Sequence, residues 1–305
     1  MEGADLRVER ITSGYRDYRV IEDFYLSFPK SAITVIIGPN GCGKSTLLKT
    51  MARVLPVQTG RVMVRGHPVH GSPSKKVAKR MALLPQEPVA FQGLRVRELV
   101  AQGRFPNQCL VRQGSPEDGA AVAQAMDQTS VTEFADRPIE RLSGGQRQRV
   151  WIAMVLAQDT PILLLDEPTT FLDLKVQVDL MTLLRRIAHD EGRTLVVVIH
   201  QLNLAAAFAD RRVMMRAGGI AAERQVQKVF TKANLATVFD LAAKVLTDPE
   251  SGRPVCVPQV VPDECSARRV GALCPCGTCA GVPLARVLGR KNHSVPRCRR
   301  RIPKL

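Results

Sequence analysis

Long apolar runs and aromatic residues are both scarce in this chain of 305 residues. The longest apolar runs, such as Ile162–Leu165 and Leu195–Ile199, are much shorter than the roughly 18 residues of a membrane-spanning helix, so we expect no membrane span. The opening residues, MEGADLRVER, lack the apolar segment of a secretory signal, so we expect no such signal. Aromatic residues make up only 4% of the chain, which argues against binding single-stranded nucleic acid by base stacking.

The charge is strongly positive and unevenly distributed. The chain has 44 Lys and Arg residues against 28 Asp and Glu residues, a net charge of +16. Residues 263–305 hold ten of the basic residues and two of the acidic ones, which is half of the excess. A basic chain favours an anionic partner, either nucleic acid or a membrane surface. Because half of the charge lies in 43 residues, we interpret this tail and the first 262 residues separately.

Cysteine divides the chain at the same place. Five of the eight cysteines fall in residues 263–305, where CPCGTC has the spacing C-x-C-x₂-C. This spacing is irregular for a zinc site, and without a secretory signal we expect a reducing compartment in which disulfides are rare. We therefore predict that residues 263–305 form a basic, Cys-rich, disordered extension. Binding of zinc, anionic lipid or nucleic acid by this extension is the alternative.

Strand-like and helix-like segments alternate along the first 262 residues. The apolar runs AITVIIG, PILLLDEP and TLVVVIH are typical of parallel strands that are buried on both faces. Residues 89–155 have helical spacing instead. The pattern predicts an α/β fold, with a core of residues 1–88 and 156–262 around an inserted helical subdomain.

Three local predictions follow from the same pattern. RVMVRGHPV, residues 61–69, is predicted to be a single strand. A helix is predicted to begin at Ser115 and to run through residues 118–135. No regular structure is expected past Asp248, because prolines recur there at short intervals.

GPNGCGKST, residues 38–46, satisfies the pattern G-x-x-x-x-G-K-[ST]. It follows a buried strand and precedes a helical segment, which is the context in which this pattern binds nucleotide phosphates through backbone N–H groups. Lys44 supplies a charge for the β- and γ-phosphates, and the Ser45 hydroxyl is placed to coordinate Mg²⁺. The predicted phosphate-binding residues are Gly38, Pro39, Asn40, Gly41, Cys42, Gly43, Lys44, Ser45 and Thr46.

LLLDEP places two acids at the end of an apolar strand. The carboxylate of Asp166 is therefore expected at the carboxyl edge of the sheet, where open α/β sheets bind ligands. There Asp166 can hold Mg²⁺ through water, and Glu167 can polarise an attacking water molecule.

LSGGQRQRV, residues 142–150, offers a second anion-binding helix N-terminus, with Ser143 as its N-cap. One chain has no evident need for two such loops, whereas two copies paired head to tail would each cover the nucleotide of the other. Together these motifs resemble the ATP-binding subunits of ABC transporters over about residues 5–262. The resemblance implies an ATPase with a P-loop, RecA-like nucleotide-binding core, an antiparallel β-subdomain and an inserted α-helical subdomain.

The resemblance assigns further roles residue by residue. Tyr15 matches the aromatic residue that stacks on adenine, and Gln86 matches the glutamine that reaches Mg²⁺ and senses the permease. Asp173 matches the aspartate that links the two subunits, and His200 matches the switch histidine that contacts the γ-phosphate. The nucleotide of the partner subunit is expected to meet Ser143, Gly144, Gly145 and Gln146.

Within the family, segments such as GRFP and HQLNLAAAFAD are similar to the iron–siderophore and cobalamin importer branch. The similarity implies a homodimer that binds ATP and Mg²⁺ at the cytoplasmic face of the inner membrane and powers permease subunits. A substrate-binding protein acts on it only indirectly, and no nucleic acid is expected. The alternatives are a cobalamin or haem importer and a non-transport ABC ATPase acting on nucleic acid or ribosomes. The single ATPase module with a short helical insert argues against the last of these.

Several residues depart from the family pattern. Gln201 stands where an aspartate usually follows the switch histidine, Ser31 replaces a turn glycine, and the usual turns after Met215 are absent. These departures place the last strands in question. Cys42 has two interpretations: a small space-filling residue, or a thiol whose pKa is lowered by Lys44 and the helix N-terminus.

Overall fold

The computed structural model describes residues 4–16, 18–108, 115–224 and 229–259. Its strands are β1 (Ala4–Tyr15), β2 (Tyr18–Pro29), β3 (Ile33–Ile37), β4 (Thr59–Val64), β5 (His67–Pro68), β6 (Met81–Leu84), β7 (Ile162–Asp166), β8 (Thr194–Val198), β9 (Arg211–Arg216), β10 (Gly219–Arg224), β11 (Ala243–Thr247) and β12 (Pro254–Pro258). Its helices are α1 (Lys44–Met51), α2 (Ser74–Ala78), α3 (Val96–Gln102), α4 (Pro116–Gln128), α5 (Gly144–Ala157), α6 (Leu174–His189), α7 (Leu202–Phe208) and α8 (Lys232–Phe239). The predicted extension of residues 263–305 lies outside the described residues.

The central sheet has the strand order β10-β9-β3-β8-β7-β6. The five strands from β9 to β6 are parallel, and β10 adds to the edge in the antiparallel direction. Every residue of β3, β7 and β8 is buried, which explains why their sequences are unbroken apolar runs. Because the strands are parallel, the segments that follow β3, β6, β7 and β8 all emerge at one edge of the sheet.

A second sheet is antiparallel and has the order β2-β1-β4-β5. The prediction of a single strand over residues 61–69 is wrong, because the chain reverses at Arg65 and Gly66 to pair Val64 with His67. Both turn residues have positive φ, 47° and 78°, as two-residue hairpin turns require. The glycine inside an otherwise alternating pattern was the signal for this turn.

Helices α3 and α4 and most of α5 lie within residues 89–155, and the three helices pack on one another. Their contacts bury Val100, Met126 and Trp151 in the same apolar cluster as β7 and β8. Ser115 caps α4, as predicted, by accepting a hydrogen bond from the Asp118 N–H group. The predicted helix through residue 135 is too long, because α4 ends at Gln128 and Ser130 takes a positive φ of 55°.

The expectation of irregular structure past Asp248 is wrong as well. Strands β11 and β12 form an antiparallel hairpin whose register pairs Val245 with Cys256. Ala243 and Cys256 are buried in the main apolar cluster, and the hairpin lies against α7. Across the described ranges, no helix has the length and hydropathy to cross a membrane.

Candidate nucleotide-binding site

The phosphate loop connects β3 to α1 and has a backbone that depends on glycine. Gly41 and Gly43 have φ values of 76° and 102°, which residues with a side chain rarely adopt. A Cβ on Gly38 would lie 2.4 Å from the Met215 carbonyl oxygen and 2.7 Å from the Cys42 Sγ. The loop therefore fits against β9 only with glycine at position 38.

Lys44 is buried at the start of α1 and lies inside this loop. Its ammonium group donates hydrogen bonds to the carbonyl oxygens of Gly38 and Pro39, both at 2.9 Å. These contacts hold a positive charge at the N-terminus of α1, which itself favours anions. A phosphate group placed at this point would meet a fixed cation and the backbone N–H groups of the first turn of α1.

Asp166 ends β7 and faces the first turn of α1. The Ser45 hydroxyl donates to its Oδ1 at 3.2 Å, and Asp166 is only 2% exposed. Burial raises the pKa of the Asp166 carboxyl above its usual value, while the hydrogen bond from Ser45 opposes this shift. A hydroxyl oxygen beside a carboxylate oxygen is a donor set that suits Mg²⁺, so the residues present fit the predicted ion.

Glu167 follows Asp166 with a positive φ of 52° and its N–H group bonded to Val198 at 3.0 Å. Its carboxylate is contacted on one oxygen by His200 Nε2 and on the other by Gln86 Nε2 at 2.8 Å. Gln86 follows β6 and His200 follows β8, the two neighbours of β7 in the sheet. Strand order therefore brings the three residues together.

These side chains line one open cleft of about 530 Å³. Its lining includes Tyr15, Gln86, Glu167 and His200, together with Asn40, Gly41, Gly43, Lys44, Ser45 and Thr46 of the phosphate loop. Of the predicted loop residues, Gly38, Pro39 and Cys42 do not line the cleft. Tyr18 also lines the cleft and is 74% exposed, but it is not among the residues predicted from sequence. The signal available in the sequence was a second tyrosine three positions after Tyr15, in YRDY, and the structure pairs the two tyrosines across β1 and β2.

The second predicted anion-binding segment, LSGGQRQRV at residues 142–150, lies outside this cleft. Ser143 caps α5 by accepting from the Gln146 N–H group at 3.3 Å, and the Gln146 side chain accepts from the Ser143 N–H group at 3.0 Å. Asp173 caps α6 in the same way by accepting from Val176 at 3.0 Å. Within the described part of the chain, the cleft lining includes neither cap, so one copy does not bring the two halves of the predicted site together.

Cys42 does not have the environment of an activated thiol. It is 4% exposed and packs in the apolar cluster with Leu47 and Leu48. Burial raises the pKa of the Cys42 thiol, and the charge of Lys44 opposes this shift without reversing it. The Lys44 Nζ lies 4.0 Å from the Cys42 Sγ, but desolvation of the buried sulfur outweighs this charge, so the interpretation that the pKa is lowered is wrong.

The departures from the family pattern leave the local structure intact. Gln201 accepts a hydrogen bond from the Thr169 hydroxyl at 3.2 Å. Ser31 adopts a positive φ of 53°, and its hydroxyl donates to the Gly192 carbonyl at 2.9 Å. After Met215, Ala217 and Gly218 form a two-residue turn with positive φ, and β9 and β10 pair in the antiparallel direction with one register shift between Ile220 and Ala222.

Comparison with known proteins identifies the family. The sequence profile described as ABC transporter matches residues 21–170. The chain is 47% identical over 252 residues to the iron(3+)-hydroxamate import ATP-binding protein FhuC of Bacillus subtilis (strain 168), in an alignment covering 83% of this chain and 94% of FhuC. The chain belongs to the ABC transporter family.

Solved structures of ABC proteins agree with this assignment. An inward-facing ABC transporter described as being of the metal-chelate type aligns with a TM-score of 0.74 and 27% identity, over 85% of this chain and 98% of that one. The dimeric ATP-binding cassette MJ0796, in a post-hydrolysis state with ADP and phosphate, aligns with a TM-score of 0.64 and 26% identity, over 72% of this chain and 98% of that one. The predicted fold class and the resemblance to the iron–siderophore branch are confirmed. As an ATP-binding subunit of an ABC transporter, the chain binds and hydrolyses ATP.

Proposed function

We propose that this chain is the ATP-hydrolysing subunit of an importer for iron–siderophore complexes. The observation that carries the proposal is the 47% identity to a hydroxamate import subunit over nearly its whole length. The cleft that joins Lys44, Glu167 and His200 supports the ATPase part of the proposal. The chelate itself meets the permease and a binding protein, so its choice rests on the identity alone.

ATP binds with its phosphates in the loop of residues 38–46 and its adenine against Tyr15. Lys44 exchanges its carbonyl contacts for phosphate oxygens, since phosphoryl transfer depends mainly on positioning and on charge neutralisation. Ser45, Asp166 and Gln86 are the residues that would hold Mg²⁺, which supplies further positive charge beside the phosphates.

Glu167 is the residue that accepts the proton of the attacking water. His200 and Gln86 each contact one of its carboxylate oxygens, and these contacts orient it at the end of β7. His200 also stands where charge develops on the γ-phosphate, so it links the acceptor of the proton to the group that is transferred.

The working unit is a homodimer at the cytoplasmic face of the inner membrane. Ser143, Gly144, Gly145 and Gln146 lie outside the cleft of their own chain, so they serve the ATP of the second copy, with Asp173 at the contact. Permease subunits meet the surface around residues 86–105, where Val89, Phe91 and Phe105 are exposed. No nucleic acid takes part.

Glu167→Gln tests the assignment. Loss of a general base costs about 10²–10⁴-fold in rate, so phosphate release should nearly stop while ATP binding persists. Size-exclusion chromatography with ATP should then detect a stable dimer. Glu133→Gln, which changes an exposed glutamate in another part of the chain, is the matched control and should behave as the wild type.

The substrate is tested in cells that lack this chain. Uptake of a labelled ferric hydroxamate should fail, and wild-type protein but not Glu167→Gln should restore it. Normal hydrolysis by Glu167→Gln would overturn its role as the base. Normal uptake without the chain would overturn the substrate while leaving the ATPase assignment in place.

A further inference from the structure

Helix α7 follows the switch histidine directly and is fastened at its N-terminal turn. It begins at Leu202, two residues after His200, and Asn203 lies in its first turn. The Asn203 side chain accepts a hydrogen bond from the Cys256 N–H group at 2.8 Å and donates one to the Cys256 carbonyl at 3.4 Å. One amide side chain thus binds both backbone groups of a residue 53 positions away.

The partner of Asn203 belongs to the hairpin of β11 and β12. Cys256 pairs with Val245 of β11, but its backbone N–H and carbonyl groups point away from β11 and towards α7. Asn203 is exposed, whereas Cys256 is buried. Without Asn203, the N–H group of Cys256 would lose its partner at a buried position, which is costly.

The other end of α7 has an anchor of its own. Arg212 on β9 is 2% exposed and donates to the carbonyl oxygens of Ala205 at 2.9 Å and Ala206 at 2.7 Å. Burial lowers the pKa of Arg212 to about 10, so it is still charged at neutral pH and suits a helix C-terminus. Strands β9 and β12 therefore hold this seven-residue helix at its two ends.

The position of His200 depends on how α7 is held. Its Nε2 contacts Glu167, and the next residue, Gln201, is bonded to Thr169. The Ala205 N–H group bonds to the Gln201 carbonyl at 3.0 Å, so the segment joins the first turn of α7 directly. A rotation or slide of α7 would move the imidazole relative to the carboxylate.

We propose that Asn203 is a positioning residue for ATP hydrolysis. By fastening α7 to β12, it fixes the rotation of the helix that holds His200 against Glu167. The C-terminal hairpin, which lies outside the region matched by the family profile, is thereby part of the support of the switch histidine. This inference rests on the proposed action of His200 at the γ-phosphate.

Steady-state ATP hydrolysis by the full chain tests the proposal with two variants. Asn203→Ala removes both hydrogen bonds and substitutes the best helix former, so the protein should fold. We expect kcat to fall about tenfold, because small misplacements of catalytic groups are costly. The KM for ATP should stay within about twofold, because the phosphate loop is unchanged. Asn203→Asp keeps the acceptor for the Cys256 N–H group but replaces the donor to the Cys256 carbonyl by an oxygen, so it should recover part of the rate.

Two controls separate positioning from general damage. Asn107→Ala removes a similar side-chain bond to a backbone carbonyl, at 2.9 Å from Gln158, but in the helical subdomain. Cys256→Ala keeps the backbone groups that Asn203 binds. Both controls should retain the wild-type kcat, and thermal unfolding should show that all four variants are folded.

The outcomes distinguish this inference from the function on which it rests. A wild-type kcat in Asn203→Ala, or an Asn203→Asp variant as slow as Asn203→Ala, overturns the positioning role. An equal loss of rate in Asn107→Ala overturns it too, because the effect would then be general. If His200→Ala hydrolyses ATP at the wild-type rate, the proposed role of His200 itself fails.

Discussion

The substitution Gly144→Ala should affect the stability of a single chain and the ATP hydrolysis of the proposed dimer in different ways. Gly144 is the first residue of α5 and stands beside the N-cap Ser143. A Cβ at this position would meet no atom of the chain within 4 Å, and its φ is not positive. The structure of a single copy therefore offers no reason for a glycine here. The proposed dimer offers one, because the backbone of this turn approaches the nucleotide of the second copy.

Gly144→Ala is expected to raise the thermal stability and to lower the rate of ATP hydrolysis. Replacing glycine by alanine where the backbone is compatible stabilises a protein by about 0.4–1 kcal/mol. For a domain of this size, that corresponds to a rise in Tm of roughly 1–4 °C. The same methyl group would stand between backbone N–H groups and a phosphate, so ATP hydrolysis should fall at least about tenfold, or about 1.4 kcal/mol in the barrier.

Two measurements on each variant check this prediction. Thermal unfolding without nucleotide reports the stability, and phosphate release as a function of protein concentration reports the assembly. Gly119→Ala is the matched control, since a Cβ in α4 at this position also meets nothing within 4 Å. It should gain stability and keep the ATPase rate.

Gly145→Ala is the counterpart that damages the chain itself. Its Cβ would lie 2.9 Å from Cγ1 of Val176, so both stability and activity should fall. The reasoning is refuted if Gly144→Ala hydrolyses ATP at the wild-type rate, or if its Tm falls as much as that of Gly145→Ala.

Two further predictions concern buried groups away from this surface. Arg104→Met deprives the Asp118 carboxylate and the Ala157 carbonyl of a partner at 2.7 and 2.8 Å, so urea unfolding at pH 7 should show a loss of about 3 kcal/mol. The hydrogen bond from Arg104 lowers the pKa of the Asp118 carboxyl below its usual value of 3.8. The stabilisation by this pair is therefore complete above about pH 4 and is lost as the pH falls through the folded-state pKa. A stability difference between Arg104→Met and the wild type that is as large at pH 3 as at pH 7 would contradict this prediction. Because burial raises the pKa of Cys42, iodoacetamide at pH 7.4 should label it more slowly than free cysteine, and fast labelling measured by mass spectrometry would show the thiol to be activated.

The strands of the core could be predicted from sequence because burial on both faces leaves a simple pattern. Residues 162–165 and 195–199 are unbroken apolar runs, and the polar residues that follow them had to lie at one edge of a parallel sheet. This reasoning placed Asp166 and Glu167 at that edge, whereas the role of His200 came from the resemblance to the family. The phosphate loop could also be predicted from sequence. Its backbone requires glycine at positions with positive φ, so the loop leaves a recognisable pattern of glycines.

Contacts that depend on strand order could not be predicted in this way. The meeting of Gln86, Glu167 and His200 requires β6, β7 and β8 to be neighbours, and local sequence does not encode that order. The hydrogen bonds between the Asn203 side chain and the Cys256 backbone join residues 53 positions apart. Nothing in the local sequence distinguishes Asn203 from any other exposed asparagine. The turn at Arg65 and Gly66 was missed because apolar alternation continues across it.

Strand β12 has a consequence for how the chain avoids unwanted association. Its residues 254, 256 and 258 alternate in the strand, and the Asn203 contact shows that their nitrogens face away from β11. Two of these residues are prolines, which have no N–H group, and the N–H group of Cys256 is bound to Asn203. The outer edge of this described strand therefore offers no free donor to a strand from another molecule, which is how natural sheets prevent edge-to-edge aggregation. The prolines that suggested irregular structure are the residues that keep this edge closed.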